Sequence, residues 1–201
     1  MCKPHGRGFV GALVASASLV LLAPRSAPAQ AGPPATIRAV ADCGIVGDTD
    51  AARILGYPVG APDDESARSG ICFFTTRAVS QEGSVAYALV TAERLPERRA
   101  FFAAAARRCA GIARGAPREV ICRTYARIAT ATDLDAYFKA RTAYADATPV
   151  PNLGEDAVAA PDALFVRRGA TIFECVVRRG AALDIERASE LARLLLERTS
   201  P

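Results

Sequence analysis

The chain has 201 residues, 51% of them hydrophobic, with 25 basic and 21 acidic side chains. That supplies one core of ordinary size, and a second domain is not expected. Three of the 25 cations fall in the first 31 residues, which hold no Asp or Glu; beyond them 22 basic side chains stand against 21 acidic, a balance of +1 that makes no electrostatic case for nucleic acid or an anionic membrane.

Met1–Arg7 carries Lys3 and Arg7, Gly8–Ala23 is an apolar run of 16 residues, and Pro24–Ala31 ends in the A-x-A triplet Ala29-Gln30-Ala31. This is the three-part layout of a secretory signal peptide. It predicts cleavage after Ala31, with Ala27-Pro28-Ala29 as the alternative site. The run is short for a membrane span of about 20 residues, and Cys2 lies at the wrong end for a lipid anchor. The expected organisation is a signal at 1–31, a flexible proline-bearing leader at 32–41, and one domain at 42–201. The mature chain is expected in the periplasm or outside the cell, without stable membrane insertion.

Ile37–Val40 is a possible start of the fold. Asp48-Thr49-Asp50 is placed to cap a short helix over Ala51–Leu55, closed by Gly56 and Pro58. Pro62–Gly70 is polar and reads as a surface loop; Asp63-Asp64-Glu65 lacks the ligand spacing of a calcium loop. Ile71–Arg77 and Ser84–Thr91 have strand length and composition and are joined around Gly83, with Val85, Tyr87 and Leu89 on one face. Pro96 opens a long helix reaching about Ala113, where its missing N–H costs nothing. Phe101, Ala105 and Cys109, with Phe102, Ala106 and Ile112, form its packing face. Arg98, Arg99, Arg107 and Arg108 scatter around the axis, since successive residues turn by about 100°; they read as solvated. Glu119–Ile128 carries only a weak helical pattern in Ile121, Tyr125 and Ile128. Asp133 is placed to cap a helix over Leu134–Tyr144, with Leu134, Tyr137, Phe138 and Arg141.

Pro151–Gly180 is the stretch from which the fold is read. Asn152–Ala157 resembles a short acidic helix start, suited to the positive end of a helix dipole. Leu164–Val166 and Thr171–Val177 are β-branched, aromatic runs separated by Arg168-Gly169, a hairpin signature. Phe173, Cys175 and Val177 share one face of the second run and read as core. Ile172, Glu174, Val176 and Arg178 share the other, a mixed face expected to be solvated or partly covered. Asp184 then caps a helix over Ile185–Glu197 with an apolar stripe from Ile185 to Leu196. The order short helix, hairpin, long helix occurs twice, an echo of pattern without matching residues. It predicts an α+β fold: one antiparallel sheet from two hairpins, long helices packed on one face.

Cys43, Cys72, Cys109, Cys122 and Cys175 remain after the signal. They allow two bridges and one free thiol in 15 ways, five choices of the odd cysteine times three pairings. Export favours bridges. The pairing adopted is Cys43–Cys72 and Cys109–Cys122, each closing a loop of moderate length. Cys175 is then a free thiol on an apolar strand face, a small buried hydrophobe in preference to a reactive group.

Several chemistries are excluded. The only histidine is His5, inside the signal, so Ser-His-Asp and Cys-His catalysis, His-rich zinc sites and HExxH are ruled out in the mature chain. No CxxC occurs, and beyond residue 31 neither a Walker loop nor G-x-G-x-x-G. Tryptophan is absent and aromatics are 6%, which disfavours base or sugar stacking. No motif indicates a metal or cofactor. Carboxylate chemistry survives, with Glu174 the first candidate: buried in its strand it would have a raised pKa and serve as an acid, and on an open face it would pair with Arg167 or Arg178. Glu155 and Asp156 form a second pair, explained equally by capping.

Cys43, Ile54-Leu55-Gly56, Cys72-x-Phe74 and Pro151-Asn152-Leu153-Gly154-Glu155-Asp156-Ala157 together resemble a pattern found in small exported or lipid-anchored domains of unknown function from actinobacterial cell envelopes. The resemblance covers most of the mature chain. It implies a Cys43–Cys72 bridge and an α+β sheet, and brings no catalytic residues; Cys109, Cys122 and Cys175 are additions to the pattern. The functional expectation is a non-enzymatic binding or interaction domain whose partner is an envelope protein or small molecule, with Ile172, Glu174 and Val176 as its contact face. The alternative is a hydrolase or lyase using Glu174 and a second carboxylate.

Overall fold

The computed structural model describes residues 43–62, 64–68, 70–76, 82–109 and 119–199. The signal, the leader, Ile37–Val40, Asp63 and the far end of the Pro96 helix lie outside these described residues.

The sheet is built on two nine-residue strands, β2 (Gly83–Thr91) and β6 (Thr171–Arg179). They pair antiparallel over their whole length, from Gly83 opposite Arg179 to Thr91 opposite Thr171. Short strands extend it: β1 (Cys72–Thr75), β3 (Thr148–Pro149), β4 (Asp156–Ala159), β5 (Leu164–Arg168) and β7 (Ala182–Leu183), in the order β1-β2-β6-β5-β4-β3 with β7 on β6. Every pairing is antiparallel. The predicted α+β class, the β1–β2 pairing and the hairpin at Gly169 therefore hold; Gly83 is the first residue of β2, and 77–81, which join β1 to β2, lie outside the described residues. Gly169 takes φ +54° in the two-residue turn between Arg168 and Thr171, a conformation other residues enter only with strain.

The helices are α1 (Asp48–Leu55), α2 (Asp64–Arg68), α3 (Leu95–Arg108), α4 (Glu119–Ala129), α5 (Leu134–Thr142) and α6 (Ile185–Arg198). Asp133 and Asp184 cap α5 and α6 as expected, accepting from the N–H groups of Ala136 (2.8 Å) and Arg187 (3.1 Å). Three local expectations are corrected. Gly47 is the N-cap of α1, with Asp48 and Asp50 in the first turn, where they favour the dipole in place of a side-chain cap. The Pro62–Gly70 loop contains helix α2. Asn152–Ala157 is turn and strand instead of a helix start: Asn152 and Gly154 take positive φ, and the Glu155 carboxylate accepts from Gly169 N–H at 3.0 Å, stapling the β5–β6 turn.

The helices cover both faces of the sheet, where the sequence placed the long ones on a single face. Phe74, Val85, Tyr87, Leu164, Val166, Phe173, Cys175 and Val177 point to α1 and α6, packing against Ile54, Leu55, Leu191 and Leu195. Ion pairs from Arg198 to Asp50 (2.5 Å) and from Arg53 to Glu190 join the two helices at the surface. Val90, Phe165, Ile172 and Val176 point the other way, to Phe102, Ile128, Tyr137 and Phe138 on α3, α4 and α5. The predicted echo fails for this reason. An internal two-fold relating antiparallel neighbours β2 and β6 stands perpendicular to the sheet and leaves each following helix on the same face, whereas α3 and α6 lie on opposite faces. Among the described residues no helix is long and apolar enough to cross a membrane.

Two disulfides fasten the layers. Cys43–Cys72 ties the segment before α1 to β1, with Cα atoms 5.2 Å apart, and Cys109–Cys122 ties the end of α3 to α4 at 5.8 Å. Both are the pairs expected from the sequence.

Gly154 separates conformational need from space. At φ +66°, a Cβ there would sit 2.5 Å from the Arg167 carbonyl oxygen and 2.7 Å from Val166 Cγ1, while a Cβ on Gly169 would meet nothing within 4 Å. Gly169→Ala is expected to cost about 1–2 kcal/mol from the left-handed backbone alone. Gly154→Ala should cost a further 1–3 kcal/mol or so for the overlap. Urea denaturation of the two variants measures the gap.

Candidate functional site

Glu174 sits at the middle of β6, and strand alternation turns it away from the α6 side toward α3 and α5. It is 5% exposed. The side chains around it come from two helices. Tyr137 and Arg141 are four residues apart on α5 and so share a face. Arg98 lies on α3, three residues after Leu95 and four before Phe102, in the stripe that faces the sheet. Tyr137 donates its hydroxyl to Glu174 Oε1 at 2.7 Å, and Arg141 Nε donates to the same oxygen at 3.1 Å. Arg98 Nη2 donates to Oε2. Arg141 Nη1 reaches a second acid, Asp162 in the β4–β5 connection, at 2.9 Å. Aromatic faces complete the packing: the Arg141 guanidinium carbon is 4.5 Å from the Phe165 ring centroid, and that of Arg98 is 5.5 Å from Phe102.

Burial by itself would raise the Glu174 pKa. The charges of Arg98 and Arg141, with the hydrogen bonds from Tyr137 and Arg141, outweigh it and hold the carboxyl below its ordinary value. The same pairing raises both guanidinium pKa values against the opposing effect of burial. Burial, reinforced by the Glu174 charge, pushes the Tyr137 hydroxyl up, so it stays a donor. The expected shift of Glu174 is thus reversed. It is an anion at neutral pH with both oxygens engaged, unsuited to protonating a leaving group.

A cavity of about 240 Å³ opens over this cluster. Arg98, Arg141, Asp162 and Glu174 are its polar walls, and Phe101, Phe102, Tyr125 and Val176 are prominent among its apolar ones. Arg98 Nε and Nη1 and Asp162 Oδ1 are buried and have no hydrogen-bond partner in the protein. Among the described residues no three Cys, His, Asp or Glu side chains converge as a metal site requires.

Of the residues singled out from the sequence, Ile172 is 1% exposed and Glu174 5%. Their face is roofed by helices, so it is no open contact surface; Glu174 and the half-buried Val176 instead line the cavity. Glu174 pairs with neither Arg167, which bridges to Asp135, nor Arg178, which donates to the Ala181 and Asp162 carbonyl oxygens. Glu155 and Asp156 lie at the far end of the β5–β6 turn. Cys175 is fully buried on the opposite face, and burial followed by the Glu174 charge raises its thiol pKa, which keeps it protonated. Sequence reasoning missed Arg98, Tyr137, Arg141 and Asp162 as site residues. The signal for Arg98 was its spacing from Leu95 and Phe102; reading four arginines for mutual convergence hid it. No protein-family model matches the chain, and no curated protein or solved structure matches it.

Glu174→Gln leaves two buried guanidinium groups without their shared anion and is expected to destabilise the fold by about 3–5 kcal/mol. The pH dependence has a definite sign. A carboxyl whose folded pKa lies below its ordinary 4.5 stabilises fully above that value, and the contribution fades as pH falls from 4.5 through the folded pKa. Urea midpoints measured from pH 7 down to acid should therefore converge for wild type and Glu174→Gln below pH 4.5. Native protein should also resist thiol reagents at Cys175, with labelling appearing only when denaturant unfolds the chain.

Proposed function

We propose that this protein is an exported, non-enzymatic binding domain of the periplasm or cell envelope, related to the envelope domains its motifs resemble, and that it holds a small molecule in the cavity above Glu174. The observation that carries the reading is a buried arginine with two unpartnered nitrogens on the wall of a cavity otherwise largely apolar. Ligand sites have this character: mostly hydrophobic lining with a few fixed polar groups. Two disulfides support an oxidising compartment, in agreement with the three-part leader. The Cys43–Cys72 bridge and the α+β sheet accord with the resemblance.

The reading of Glu174 as part of a hydrolase or lyase draws on one observation, that it lines the cavity together with Asp162. Arg141 stands between the two carboxylates and binds both, and acid catalysis needs one of them protonated. An ionised Glu174 with both oxygens engaged favours the binding role.

Native mass spectrometry of protein purified from the exported fraction of its own host tests the proposal. The expected species starts at Gly32, carries two bridges, and retains an additional small mass. A chain still beginning at Met1 would sink the export reading. A bare monomer in every preparation would turn the search to protein partners and cross-linking. Hydrolytic turnover abolished in a folded Glu174→Gln protein would restore the enzyme reading.

A further inference from the structure

The cluster is asymmetric in a way that specifies a ligand. Arg98 and Arg141 share the single carboxylate of Glu174. Arg141 has a second acid in Asp162, which it binds through Nη1. Arg98 has no counterpart: its Nη2 is occupied and its Nε and Nη1 are empty, in a side chain only 5% exposed. A guanidinium offers five N–H donors in a fixed fork, and a buried donor without an acceptor is costly. Asp162 answers part of the Arg141 charge: its side chain is 39% exposed overall, but it is bonded to Arg141 and its Oδ1 is buried. With two cations and two carboxylates the cluster balances in formal charge, and the unmet capacity is Arg98's own: it shares Glu174 with Arg141, has no second acid, and keeps two N–H groups that call for an acceptor.

The walls set the rest of the ligand. Beside Arg98 stand Phe101, Phe102, Tyr125, Val176 and two small strand residues, Ala86 and Ala88. The volume of about 240 Å³ falls below the roughly 300–1,000 Å³ of sites for drug-sized molecules. We propose, resting on the binding reading above, that the cavity takes a small monocarboxylate with an apolar body, its carboxylate completing the hydrogen bonding of Arg98 and its body lying against Phe101, Phe102 and Val176. Phe101 is the gate. The residue is 43% exposed, and its ring centroid lies 5.7 Å from the Arg98 guanidinium carbon. The two empty nitrogens are shut from water, and this exposed ring turns aside to admit the carboxylate.

The test uses the disulfide-bonded mature protein and isothermal titration with benzoate and hexanoate, alongside their uncharged amides, benzamide and hexanamide. At least one acid should bind at least tenfold more tightly than its amide, the scale of a charge-assisted hydrogen bond of about 1.5–3 kcal/mol. Arg98→Met should erase that difference. Since removing Arg98 disturbs a buried charge cluster, Val176→Phe serves as the second variant: it fills the cavity from a half-buried position, keeps every charged group, and should abolish acid binding with the circular dichroism spectrum unchanged. Equal affinity for acid and amide, or acid binding that survives Val176→Phe, overturns the carboxylate assignment and leaves the binding reading standing. So does a cationic or uncharged molecule retained by protein from the native host. No binding of any probe, together with no retained mass, overturns both.

Discussion

Everything on the α3–α5 side of the sheet depends on one anion being kept ionised out of water. A carboxylate alone at the centre of β6 would carry a desolvation cost of several kcal/mol or would take up a proton. Arg98, Arg141 and Tyr137 prevent both outcomes, and they come from α3 and α5, with the whole of α4 between them in the chain. Such a cluster contributes little net stability compared with a packed apolar substitute. Its effect is on uniqueness. Shifting β6 by one residue would carry Glu174 to the opposite face, among Leu191, Leu195 and Val85, away from Arg98 and Arg141, the two buried cations among the described residues. The nine-residue register between β2 and β6 is thus fixed by charge on one side and by apolar packing on the other.

The disulfides act on the two sides differently. Cys43–Cys72 lies on the α1–α6 side, where twenty-odd buried side chains already form a continuous core, and it fastens edge strand β1. Cys109–Cys122 joins α3 to α4, the two helices that supply Arg98, Phe101, Phe102 and Tyr125 to the cavity. That side has the smaller cluster of buried apolar residues among the described ones. A short cross-link there limits the ways the helix pair can settle onto the sheet, and collapse onto it would fill the cavity.

The sequence displayed the sheet well, and the reason is local. Period-two patterns in Val85–Val90 and Thr171–Val177, with glycine at the turns, specify strands and hairpins without reference to anything distant. Caps at Asp133 and Asp184 were legible for the same reason. The second helical layer was not, because its packing stripe is polar in the wrong places. Arg98 and Arg141 occupy positions where apolar residues are expected, so α3 and α5 read as weakly amphipathic and the face bearing Glu174 read as open. The pieces of the site were all visible as residues. What made them a site was a long-range match, one acid on a strand with two arginines on separate helices, and single-chain periodicity carries no term for that. The pKa of Glu174 went wrong at the same step: the raised value expected in the case of burial left out the cations that compensate it.

The same reasoning explains why a cavity persists at all. The side chains on the sheet beneath it include Ala86, Ala88, Val176 and Glu174, two small, one of middle size and one charged. Larger apolar residues at the alanines, with leucine-like residues for the charged cluster, would close the space and cost nothing in stability. A layer serving only to cover the sheet has no need of orphaned guanidinium nitrogens or of an unfilled volume, both of which weaken it. Their joint presence at one place is what supports the proposed binding role over a purely covering one.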